Sequence, residues 1–324
     1  MPRLPAGRAR AELTMPPVAR VIPAPQPFDF ALTAAHQTNY RGKAGSDLLV
    51  DGVYYRALWL DGEPLGVAAR PVDDGIEVSL PNGGSPQALD TAAEWVAWLL
   101  GLDVPMDGFY EMLANDPVLA GAVGELRGLR HTRTETVWEA LVHAIVGQQV
   151  SGIVARVIRD GLTTEYGTEI TIDGHLIHAF PRPQTLLEAG HDALRERKLS
   201  ARKAEYVLGI ADMALRGDLD HATLAPLSDE EAIDLLSGIR GVGRWTAQWT
   251  LMRALGRVDA LPAGDLALQR VVGDHYFEGR RLTEQELEDF AEERWKPWRG
   301  LAVTYLFSRI RQDRVAREAA KRGN

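Results

Sequence analysis

Near the start of the chain, apolar residues come in short β-rich runs; further along they recur at helical spacing. Residues 53–60 and 65–72 are rich in Val, Leu and aromatic side chains, and 76–80 alternates Ile, Val and Leu with Glu and Ser. The joints Asp61-Gly62 and Asp74-Gly75 are tight-hairpin signals. Residues 85–100 then read as a helix carrying Trp95, Trp98 and Leu99, stopped by Gly101. This pattern predicts a small antiparallel sheet with one or two covering helices. From 106 onward the period is helical with almost no strand: 109–119, 137–146, 151–166, 183–189, 201–214, 266–276, 284–294 and 297–313. The expected fold class is therefore an α+β N-terminal domain, residues 26–105, followed by an all-α domain, residues 106–324. Residues 1–25 are rich in Pro, Arg and Ala without periodicity and are expected to form a disordered arm.

Within the helical half, 232–270 has a distinct plan. Ser228 with Glu231 is a capping box, and Ile233, Leu235 and Leu236 give the helix that follows an apolar face. Gly241-Val242-Gly243 ends that helix. A second one follows from Arg244, with Ala247, Leu251, Met252 and Leu255 at helical spacing and Gly256 as a stop. Asp265 then opens a third helix over 266–270. The first amides of a helix have no internal partner, and glycines let an anion approach them. Such a hairpin suits a DNA phosphate and is blind to base sequence. Taken alone, Gly-Val-Gly more often serves a tight helix–helix turn with no ligand. A dinucleotide fingerprint is disfavoured, because it needs a strand before the glycines and the pattern there is helical.

Composition narrows the class. A chain of 324 residues, 45% hydrophobic and 25% charged, is that of a globular protein. No apolar run is long enough for a bilayer span and the N-terminus lacks a secretory h-region, so a cytoplasmic location is expected, with no membrane partner. With no cysteine, the chain can build no disulfide, zinc–thiolate or iron–sulfur site, and no cofactor is expected. The net charge of −9 argues against a partner held by bulk charge, but an amide clamp needs few cations.

Several motifs run in one order between Pro27 and Ile310. They are Pro27-Phe28-Asp29-Phe30, Ile145-Val146-Gly147-Gln148-Gln149-Val150-Ser151, Leu199-Ser200-x-x-Lys203-Ala204, Gly243-Arg244-Trp245-Thr246-Ala247, Leu261-Pro262-x-x-Asp265 and Trp295-Lys296-Pro297-Trp298-Arg299. With Asp265 placed 22 residues after Gly243, the chain resembles the helix-hairpin-helix DNA glycosylases, and within them the AlkA-type 3-methyladenine glycosylases (glycosylase II). The resemblance implies an N-terminal sheet domain like the repeat of TATA-binding protein and a helical domain with the catalytic cleft. It implies a monomeric, monofunctional enzyme of base-excision repair acting on double-stranded DNA with alkylated bases such as 3-methyladenine and 7-methylguanine.

The residue types suit that chemistry. A base must be flipped out before its glycosidic bond is cut, and bond breaking builds positive charge on the sugar. The resemblance makes Asp265 the carboxylate that stabilises this charge, although an ordinary helix N-cap would look the same in sequence. Trp245, Trp249, Phe307 and Gln148 would line the base pocket, with Phe307 where the family commonly has Trp. Aromatic faces attract a cationic base. Gln149 would fill the vacated stack; its alternative is a helix cap. Gly241, Val242, Gly243, Arg244 and Thr246 would hold the DNA backbone, and some relatives carry a monovalent cation on the carbonyls corresponding to Ile239 and Val242. Relatives that also cut the strand use a Lys two residues after the second glycine; Trp245 stands there. Two other readings remain open: a non-catalytic helix-hairpin-helix DNA-binding module, and a glycosylase of the same fold for oxidised or deaminated bases.

Overall fold

The computed structural model describes residues 17–41 and 45–322. The chain opens with β1 (Val18–Ile22), α1 (Phe30–Arg41), β2 (Asp47–Val50), β3 (Val53–Leu60), β4 (Glu63–Val72) and β5 (Gly75–Leu80). The sheet order is β1-β5-β4-β3-β2, antiparallel throughout. The β2–β3 and β3–β4 joints, Asp51-Gly52 and Asp61-Gly62, have both φ values positive, matching the twist of paired strands. Helix α2 (Pro86–Leu99) starts at Ser85, whose hydroxyl accepts the Ala88 N–H, and its buried face packs on Leu58, Ile76, Val78 and Leu80.

The expected arm over 1–25 is corrected at its inner end. Val18–Ile22 is not disordered but is an edge strand on β5, and Ile22 reaches the core. Residues 1–16 lie outside the described residues.

The helical half comprises α3 (Asp107–Ala114), α4 (Val123–Leu126), α5 (Val137–Gly147), α6 (Gly152–Tyr166), α7 (Pro183–Glu196), α8 (Ala201–Leu215), α9 (His221–Leu224), α10 (Asp229–Ser237), α11 (Arg244–Ala254), α12 (Leu266–Tyr276), α13 (Glu284–Arg294) and α14 (Arg299–Arg322). It is not strand-free. After α6 comes a hairpin, β6 (Thr168–Ile172) and β7 (His175–Ala179), turning through Asp173-Gly174. Ile172, Ile177 and Ala179 cover the second face of the N-terminal sheet at Tyr55, Ala57 and Ala68. Gly66 makes room for them: a Cβ there would lie 2.8 Å from Ile172. The sheet is thus buried on both faces.

The helices divide between two cores. One gathers α5, α6, α8, α10 and α11; the other joins the 104–129 segment to α12, α13 and α14. The loop from α11 to α12 crosses between them, and Asp265 stands at its end.

His131 lies under this arrangement, 1% exposed, with its Nδ1 2.7 Å from the Thr304 hydroxyl. Burial, and then the Arg253 and Arg133 charges, hold its pKa well below the usual 6.5. The folded state therefore refuses a proton that the unfolded chain takes up below pH 6.5. Stability should fall as pH drops below that value, by up to about 1.4 kcal/mol per unit from this group. His131→Asn should flatten that part of a Tm-against-pH curve; an unchanged slope would refute this.

Candidate active site and DNA interface

The hairpin is built by two unlike glycines. Gly241 has a φ of +91°, and a Cβ there would lie 2.2 Å from the Tyr206 ring, so only glycine fits. Gly243 is the N-cap of α11 with no side chain capping it, and a Cβ there would meet nothing within 4 Å. The N-cap backbone at Gly243 is thus uncovered by side chains. Because Gly243→Val costs no internal contact, it should leave folding intact. It should weaken binding to damaged and undamaged duplexes alike by about tenfold, the scale of one hydrogen bond to a charged group. Titration of both duplexes checks this; a loss confined to damaged DNA would refute it.

Three of the expected site residues have side chains turned inward. Val242 is 4% exposed and packs into the first helical core, and Thr246 is 1% exposed. Their side chains are spent on packing the two helices of the hairpin. Gln148, expected in the base pocket, donates both amide hydrogens to the hairpin: to Gly241 O at 2.9 Å and to the Thr246 hydroxyl at 3.1 Å. It fastens the end of α5 to the hairpin. Arg244 stays at the surface, forked onto Glu230 at 3.1 and 3.2 Å. A phosphate would compete with that carboxylate for it.

Gln149, next in the chain, is exposed and holds a φ of +55°, uncommon for a residue with a side chain. It stands out from a joint fixed on both sides. Beneath it, Lys203 donates to Val146 O at 2.8 Å and Gln148 O at 2.6 Å, capping α5, and burial lowers its pKa. From the sequence Lys203 could be weighed only as a remote alternative amine nucleophile; a Lys aimed at a helix C-terminus needs the fold to be visible.

Asp265 caps α12. Its Oδ1 accepts the Ala267 and Leu268 N–H groups at 2.9 and 3.0 Å. Its Oδ2 accepts the indole N–H of Trp245 at 3.1 Å, from across the seam between the two cores. The carboxylate is half-buried with Leu266, 66% exposed, beside it. Trp245 and Trp249 share a face of α11, ring centroids 6.3 Å apart and nearly perpendicular. The Arg253 guanidinium sits 4.9 Å from the Trp249 ring and donates to Thr132 O at 2.9 Å. One expected stacking ring therefore already carries a cation. Phe307 is half-buried on α14, in the core that also seats α12.

Another face of α11 borders a cleft of about 290 Å³ lined by Glu230, Arg244, Gln248, Asp259 and Arg299. Its two arginines are already paired, Arg244 with Glu230 and Arg299 with Asp259, the remaining charges of the lining are acidic, and Asp265 does not border it.

Residues 142–297, which hold the joint, the hairpin and Asp265, match the HhH-GPD superfamily base excision DNA repair proteins. The DNA-3-methyladenine glycosylase of Bacillus subtilis is 30% identical over 206 residues, 64% of this chain and 68% of that one. The probable bifunctional transcriptional activator/DNA repair enzyme AlkA of Mycobacterium tuberculosis is 31% identical over 297 residues, covering 89% of this chain but 56% of that protein. The solved structure of 3-methyladenine DNA-glycosylase from Archaeoglobus fulgidus superimposes with a TM-score of 0.79 at 28% identity, covering 88% of this chain and 96% of that one. With the hairpin, the acid and these likenesses in agreement, the chain belongs to the HhH-GPD superfamily of base excision DNA repair proteins.

Proposed function

We propose that this protein is a monofunctional DNA glycosylase, a monomer of the bacterial cytoplasm, that releases alkylated purines from double-stranded DNA. The observation that carries this reading is the Asp265 carboxylate held by three N–H donors at the seam of two cores. A preorganised anion there offsets the positive charge that grows on the sugar as the glycosidic bond breaks. Gly243 takes the phosphate, and Gln149 fills the stack left by the flipped base. The names of the Bacillus and Archaeoglobus relatives support 3-methyladenine as a substrate type. A base alkylated on a ring nitrogen leaves readily, so water completes the reaction without a covalent intermediate.

The position that a lyase path would need and the nearest candidate amine both support the monofunctional reading. Trp245 occupies the position two residues after Gly243, and Lys203 is committed to the α5 carbonyls. Ile239 O and Val242 O are hard oxygen donors of the kind an alkali cation takes, although Ile239 O already accepts the Val242 N–H at 3.0 Å. A cation held there would add positive charge facing the phosphate.

Borohydride added during turnover tests the monofunctional assignment. The expected product is an intact strand that breaks only after alkali, with no trapped protein. A stoichiometric protein–DNA adduct would mean a Schiff base and would overturn it. A second reading, neutral deaminated bases, gains support from Arg253: a fixed cation on the Trp249 ring opposes a second cation there.

A further inference from the structure

The indole of Trp245 stands in two relations at once. Its N–H points at Asp265 Oδ2 from 3.1 Å, and its ring meets Trp249 edge to face. The two backbone donors at Asp265 both fall on Oδ1. A carboxylate held through one oxygen can still turn about its side-chain bonds, whereas the indole fixes the second oxygen and with it the plane of the group. The bond also crosses the seam: α11 belongs to one helical core and α12 to the other. It therefore ties the acid to the helix that the hairpin opens, where the phosphate of the same nucleotide strand would be gripped.

We propose that Trp245 is a positioning residue for Asp265, acting through its indole N–H, rather than only a stacking wall for the flipped base. The inference rests on the glycosylase reading above and assigns Trp245 the orientation of the acid. In the resting site, Asp265 Oδ2 accepts one hydrogen bond from this N–H and keeps its remaining lone-pair capacity for the sugar. No proton is transferred between the two, since an indole N–H is a donor only.

The test replaces Trp245 with β-(benzothien-3-yl)alanine, which keeps the bicyclic ring and exchanges the N–H for sulfur; Trp245→Phe is the genetically encoded companion. The probe is a duplex carrying 7-methylguanine, with single-turnover base release and duplex affinity measured separately. The expected result is a rate about tenfold or more below the parent, the scale of one hydrogen bond to a charged group, with affinity for the lesion duplex unchanged in the isostere. The same substitution in an Asp265→Asn background should then cost much less, because the two groups act as a unit. Parent-like release by the isostere would overturn the proposal, as would a loss confined to affinity, which is what a stacking wall predicts. If the parent itself released no base, it is the glycosylase reading that would fail, a result distinct from either.

Discussion

Asp265→Asn is expected to bind a lesion duplex as the parent does and to release its base at least 10²–10³ times more slowly, a loss of about 2.7–4 kcal/mol of transition-state stabilisation. The change separates the two tasks of the side chain. Asn retains an oxygen for the Ala267 and Leu268 N–H groups, so the cap of α12 survives. The second oxygen becomes an amide NH₂ facing the Trp245 N–H, a donor against a donor where there was an acceptor. The variant thus loses the charge and the geometry together, while Gly243 and Gln149 are untouched. Single-turnover excision and a binding titration read the two effects separately. Near-parental excision would remove Asp265 from the reaction.

The largest effect on stability is expected far from this site. Arg56, on β3, is fully buried, and it donates to Asp47 at 2.8 Å, Glu139 at 3.1 Å and Glu135 at 3.2 Å. Burial works against its charge, but the three carboxylates outweigh burial and hold its pKa well above the ordinary value. Burial also lifts Glu135 to about 6 in spite of Arg56, so it carries its full charge in the network only well above that pH. Glu139 lies in α5, and Glu135 also accepts the Trp59 N–H at 2.8 Å, so the cluster joins the sheet to the helix that ends at Gln148 and Gln149. Arg56→Met fills the space but strands three buried carboxyl groups. Removing one partner of a buried ion pair costs about 3–5 kcal/mol. The sign with pH follows. Without Arg56 the acids bind protons more tightly folded than unfolded, so the variant should lose more stability at pH 8 than at pH 5.5. Urea unfolding at the two pH values checks both statements; a loss under 1 kcal/mol, or one independent of pH, would contradict them.

The strands from β3 to β5 were legible because local chemistry marks them, β-rich runs closed by Asp-rich turns: Asp61-Gly62 as expected, but Asp73-Asp74 rather than Asp74-Gly75, since Gly75 already pairs with Val72 as the first residue of β5. The β6–β7 hairpin carries the same mark at Asp173-Gly174. Its strands of five residues sit between helices and have meaning only against the far side of the sheet, so the helical period around them dominated. Helix α1 went unread for a related reason: Thr33 and Gln37 are buried polar residues, donating to Gly128 O and Arg133 O, where a sequence pattern would ask for apolar ones. The expected helix over 109–119 stops at Ala114, because Asp116 before Pro117 turns back on the Val118 and Leu119 N–H groups. In the candidate site, the places of Asp265 and Gly243 were readable from spacing, since each stands at the N-cap of the helix that follows it. Trp245 on Asp265, Lys203 on α5 and Gln148 on the hairpin each join residues 20 or more apart in sequence, and only the fold brings them together. Val242 and Thr246 show the converse: a motif residue can belong to the packing of a hairpin rather than to its outer surface.

The central claim, release of a damaged base by this chain, is tested most directly with duplexes each carrying one defined lesion, scored for free base. The parent protein should release 3-methyladenine and 7-methylguanine and leave abasic strands that remain whole until alkali is added. Tight binding to the same duplexes with no base released from any of them would contradict it and leave a DNA-binding module in its place.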